Sequence, residues 1–151
     1  MENNKVNLEI LNDLIEIHND RILDYEKAID ELEERDADLI EHFNEMIQES
    51  HQLKADLKRK ILSIDDQPTA GTSTAGKVHH AWLAIKIPFT GPDRESILSH
   101  CEFWEVAAQK AYQTALKTEG LYIDIRRLLT NQQARLTSAH HHIKILSNQI
   151  V

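Results

Sequence analysis

An all-α four-helix bundle with one long crossover is the fold class predicted by three observations. Four segments repeat apolar residues at steps of four and three. The turn-forming residues, four glycines and three prolines in 151 residues, fall mostly in one internal stretch. The composition, 41% hydrophobic and 28% charged, is that of a folded chain long enough to bury a core. The reading is of one domain over 1–151, with helices at about 7–33, 37–63, 94–118 and 121–149 and a crossover over 65–93.

The first helix carries Leu11, Ile15, His18, Ile22, Tyr25, Ile29 and Leu32 along one line, with a histidine as its only polar member. In the second, Leu39, Phe43, Met46, Ser50, Leu53, Leu57 and Ile61 form the seam, interrupted by a serine. The third runs through Ile97, Cys101, Trp104 or Glu105, Ala108, Tyr112 and Ala115. The fourth runs Ile125, Leu128, Gln132, Leu136, Ala139, Ile143, Leu146 and Ile150, with a glutamine inside. Charged residues fill the opposite faces, the pattern of amphipathic helices packed side by side.

Only the charged run from Glu34 to Asp38 separates the first two helices, so they are expected to be antiparallel neighbours. Gly120 divides the third from the fourth and can adopt a left-handed conformation. The stretch from Asp65 to Asp93 is long for a structureless loop, and Val78, Trp82 and Ile85 within it predict a short extra helix. Asp93 is expected to cap the third helix. Short, long, short is the ferritin-like way of closing a bundle.

His18, Ser50, Glu105 and Gln132 each interrupt a seam near mid-helix, which predicts one polar layer half-way along the bundle, with Arg135 beside it. Di-iron and di-manganese bundles build their centres at such a level from two Glu and two Glu-x-x-His pairs. Here the second helix offers Ser50-His51-Gln52-Leu53 and the fourth Gln132-Gln133-Ala134-Arg135, so most of those ligands are missing. His18, Glu102 and Glu105 remain as candidate metal ligands, too few for a dinuclear centre. No cofactor is expected on this reading; iron, manganese or zinc on a reduced site is the alternative. A buried Glu105 needs a partner, for which His18 and Arg135 are the candidates.

The net charge of −8 argues against a nucleic-acid surface, and no apolar run suffices to span a bilayer, so a cytoplasmic location is expected. Lys54, Lys58, Arg59 and Lys60 read as charge at a helix end. Cys101 alone forms neither a disulfide nor a cysteine zinc site. Glu41, Glu45 and Glu49 read as a solvated face, and His141 and His142 as surface residues that catch nickel or zinc adventitiously. No phosphate loop, nucleophile elbow or Cys–His pair is present.

Several segments resemble an uncharacterised bacterial four-helix-bundle family of the ferritin-like superfamily. They are Leu11-Asn12-Asp13-Leu14-Ile15 and Asp24-Tyr25-Glu26-Lys27-Ala28, then Gly76-Lys77-Val78-His79-His80-Ala81-Trp82, where His80 stands in place of a common arginine. Cys101-Glu102-Phe103-Trp104-Glu105 with Ala108, Ala111-Tyr112 and Ala115-Leu116 is similar to the family's third helix. The resemblance implies a ferritin relative that has lost its di-iron ligands. The expectation is a non-enzymatic structural or interaction protein, related to stress physiology, that forms a homo-oligomer or meets an unknown protein partner. Ile10, Ile17 and Ile40 are candidates for a dimer face. The alternatives are a metal-binding oxidoreductase or metal-storage protein using His18, Glu102 and Glu105, and a small-ligand carrier with its pocket near Trp82.

Overall fold

Long uninterrupted amphipathic runs become four helices in the computed structural model, which describes residues 2–65 and 93–148, with side chains from Asn4 onward. They are α1 (Glu2–Glu31), α2 (Ala37–Ile64), α3 (Arg94–Leu116) and α4 (Ile123–Asn148). No strand occurs among the described residues. The expected crossover helix, with Val78, Trp82 and Ile85, lies outside them, as does the pocket expected near Trp82.

α1 begins earlier than its apolar repeat. Within its early turns, fully buried Asn7 ties the helix to the α3–α4 turn: its Nδ2 donates to the Gly120 carbonyl at 2.9 Å, and its Oδ1 accepts from the Tyr122 amide at 3.0 Å. Tyr122 also donates its hydroxyl to Asn4 Oδ1. One side chain thus supplies an acceptor and a donor to a turn that has no helix to satisfy it. Gly120 has φ 89°, the left-handed conformation the turn requires. At the other end of the bundle, a 3-10 turn (Glu34–Asp36) joins α1 to α2. Asp93 caps α3 by accepting from the Ser96 amide at 2.7 Å.

Cross-helix pairs give the directions. Arg94, at the start of α3, binds Asp36 at 3.2 Å and Asp38 at 2.7 Å beside the α1–α2 turn. Lys60, near the end of α2, binds Asp124 at the start of α4 at 2.9 Å. Asn7 meets the α3–α4 turn while Arg21 meets Glu105, so α1 and α3 run oppositely. Each of the four edges (α1–α2, α1–α3, α3–α4, α2–α4) is therefore antiparallel, while α2 and α3 both start at the α1–α2-turn end and point the same way. The chain between residues 65 and 93 connects the far end of α2 to the start of α3. No helix among the described residues is long and apolar enough to cross a membrane.

The core departs from the sequence reading in four places. Each helix faces two neighbours, so its buried stripe is wider than one seam. Leu14, Ile17 and Ala28 join the core on α1, and Ile10 and Ile17, candidates for a dimer face, are inside it; Ile40 is half-buried. On α4 the fully buried residue is Leu129, with Leu128 partly covered, one position from expectation. The basic cluster does not serve the end of α2, whose last turn has no cation. Lys54 instead donates to Asn19 on α1 at 2.9 Å, and Lys60 to Asp124.

Removing the Asn7 side chain strips a partly buried turn of a donor and an acceptor together. Asn7→Ala is expected to lower unfolding stability by about 1–3 kcal/mol in urea denaturation. The exposed Asn44→Ala should stay within about 0.5 kcal/mol of the parent.

Candidate functional site

Helical spacing brings a polar cluster together at mid-height. His18, Arg21 and Tyr25, at steps of three and four, share one face of α1. Glu105 and Tyr112, two turns apart, share a face of α3. Ser50 enters from α2 and Gln132 from α4, and all seven residues are buried. Four of them, His18, Ser50, Glu105 and Gln132, interrupt apolar seams in the sequence; Arg21 and the two tyrosines complete the group.

Arg21 is its centre. Its Nη2 donates to Glu105 Oε1 at 2.7 Å and its Nε to Oε2 at 3.0 Å, a bidentate pair with both side chains fully buried. Nη1 donates to Ser50 Oγ at 2.7 Å and reaches the Met46 carbonyl at 3.5 Å. Glu49, at 3.5 Å, adds a second carboxylate from the rim, so it is not the solvated residue its spacing suggests. Tyr25 donates its hydroxyl to Glu105 Oε2 at 2.9 Å, and the guanidinium carbon lies 5.6 Å from the Tyr25 ring centre. Burial opposes a charge on Arg21, but the Glu105 charge and hydrogen bonds outweigh it and raise its pKa. The partner of Glu105 is therefore Arg21, neither His18 nor Arg135.

The remaining polar atoms form a chain with one allowed direction. Gln132 Nε2 donates to the Leu53 carbonyl at 3.1 Å, which leaves its Oε1 to accept from the Tyr112 hydroxyl at 2.6 Å. Tyr112 has then given away its proton and must accept from His18 Nε2, 2.7 Å away. His18 is neutral with its proton on Nε2, so its Nδ1 accepts from Ser50 at 3.0 Å. Ser50 in turn accepts from Arg21. A guanidinium that can only donate begins the chain and a carbonyl that can only accept ends it. Burial, then the charges of Arg21 and Lys54, lower the His18 pKa from 6.5 to about 3.

This arrangement bears on each candidate ligand. Both His18 nitrogens and both Glu105 oxygens are engaged within the layer. Glu102, one turn before Glu105, lies outside the layer, partly exposed, with Oε1 3.8 Å from His140 Nε2. Arg135 is 45% exposed and reaches Gln52 and Glu49 outside the layer, so the sequence reading placed it too deep. Among the described residues no three His, Cys, Asp or Glu side chains are grouped to hold a metal ion. Burial pushes the Tyr112, Tyr25 and Cys101 pKa values up, so none ionises near neutrality. The layer is built to hold its protons rather than exchange them.

Sequence reasoning missed Arg21 because arginine usually lies at the surface. The available signal was its place on the line Ile10, Leu14, Ile17, Arg21, Ala28, at helical steps along the second buried edge of α1.

A family model described as Domain of unknown function (DUF2383) matches residues 7–118, which include every polar-layer residue except Gln132. No curated protein and no solved structure matches the chain.

Glu105→Gln leaves Arg21 buried without its charge partner and is expected to cost about 3–5 kcal/mol in urea denaturation. The paired replacement Arg21→Met with Glu105→Leu, which removes both charges, should cost far less than either single change. His18 gives a pH signature. Below pH 6.5 the unfolded chain takes up a proton that the folded protein refuses until about pH 3. Stability is therefore fully retained above 6.5 and falls across that window, by up to about 1.4 kcal/mol per pH unit from this group. Denaturation of His18→Gln should show a flatter decline between those limits.

Proposed function

The chain belongs to the family described as Domain of unknown function (DUF2383), and from that premise we propose a non-catalytic structural or interaction bundle whose mid-height layer replaces a ferritin-type metal centre. The observation that carries this reading is Arg21, a permanent cation set at the level where di-metal bundles hold two divalent ions. One carboxylate, Glu105, neutralises it directly, in place of the several that a dinuclear centre uses. The long connection between two co-directional helices supports ferritin-like kinship, since that closure is the ferritin-like one.

The layer touches all four helices, and its hydrogen bonds close only in one register. Its role on this reading is to fix alignment, as single buried polar residues do in coiled coils. The work of the protein then lies on its outside. Leu23, Leu62, Phe103, Ile123 and Ile145 remain exposed there, which supports contact with a second copy or another protein.

Elemental analysis of protein purified without an affinity tag tests the proposal. Iron and manganese are expected well below one ion per chain, and unchanged in His18→Asn. Stoichiometric iron or manganese that survives mild chelation and is lost in His18→Asn would overturn it.

A further inference from the structure

The α2–α4 edge is the loosest of the four, and an open cavity of about 310 Å³ lies along it. Met46 and Ala139 line it among polar residues, and His42 and His142 line it from facing helices. The two imidazole ring centres are 5.8 Å apart at an interplanar angle of 81°. Two imidazoles on one tetrahedral ion, with metal–nitrogen bonds of about 2.0–2.1 Å, place ring centres about 5 Å apart. The observed spacing needs only a small side-chain rotation to meet that.

His42 has the features of a prepared ligand. Its Nε2 is buried with no hydrogen-bond partner among the described residues. Its Nδ1 lies 3.9 Å from Glu45 Oε2, beyond hydrogen-bond distance but near enough for the carboxylate to favour a cation bound to the ring. Arg135, the cation lining the cavity, lies two turns from His142, about 10 Å along α4, and is drawn toward Glu49. It therefore does not block an ion at the histidine end.

We propose that His42 and His142 form a binding site for a divalent late first-row transition ion that clamps α2 to α4, its coordination completed by water. Imidazole nitrogen selects this class over magnesium or calcium, which take oxygen ligands. The site is separate from the polar layer and does not depend on the proposal made for it.

Zinc is the probe. Tag-free, chelator-treated protein is titrated calorimetrically with zinc chloride, and thermal unfolding is followed with and without the ion. Binding of one equivalent with a rise in Tm is expected. His142→Asn, at an exposed position, should weaken binding at least tenfold and abolish the rise in Tm; His42→Asn should do the same, with folding checked by circular dichroism. The adjacent His141→Asn should leave affinity within about twofold. Absence of saturable binding, binding unchanged in His142→Asn, or equal loss in His141→Asn would each overturn the proposal, the last by showing adventitious capture at the surface histidine run.

Discussion

A charge pair that water cannot reach organises this bundle. Arg21 and Glu105 lie 84 residues apart in sequence on different helices, are fully buried, and meet through two hydrogen bonds. Removing two ions from water costs several kcal/mol each, and only close geometry with further hydrogen bonds offsets it. Every neighbour in the layer answers to that demand. Tyr25 takes up Glu105, Ser50 takes up Arg21, and Glu49 adds charge from the rim. Removing either partner alone would strand the other's charge in the interior, so each side chain depends on the other.

Direction matters as much as pairing. From guanidinium to Ser50, His18, Tyr112, Gln132 and the Leu53 carbonyl, each hydroxyl, ring and amide has one proton arrangement that satisfies it. Adding a proton to His18 would turn both Arg21 and His18 into donors to Ser50 and take away the acceptor of the Ser50 hydroxyl proton. The low pKa of the ring expresses this geometry together with its burial and its charged neighbours. Such a layer holds its protons in one fixed order.

Much of the architecture was legible in the residues. Amphipathic repeats located four helices, the clustering of proline and glycine located the long connection, and Asp93 announced its cap. Four seam-interrupting residues, His18, Ser50, Glu105 and Gln132, could be named because a polar residue in an apolar line is conspicuous. Two things were not legible. Arg21 lies on a second buried line of α1, visible only when a helix is known to face two neighbours at once. Arg135 falls one turn from Gln132, and sequence spacing cannot decide whether so long a side chain turns inward or toward Glu49 and Gln52.

The arrangement of the edges bears on how the molecule assembles. α1 with α2, and α3 with α4, are hairpins of neighbouring sequence, each closing over a short turn at little entropic cost. Arg21 belongs to the first hairpin and Glu105 to the second, so neither finds its counterpart until the hairpins dock. The desolvation of both ions is therefore concentrated in that one late event. Dehydration of these two side chains is thereby tied to the union of the two hairpins and not to the formation of either one.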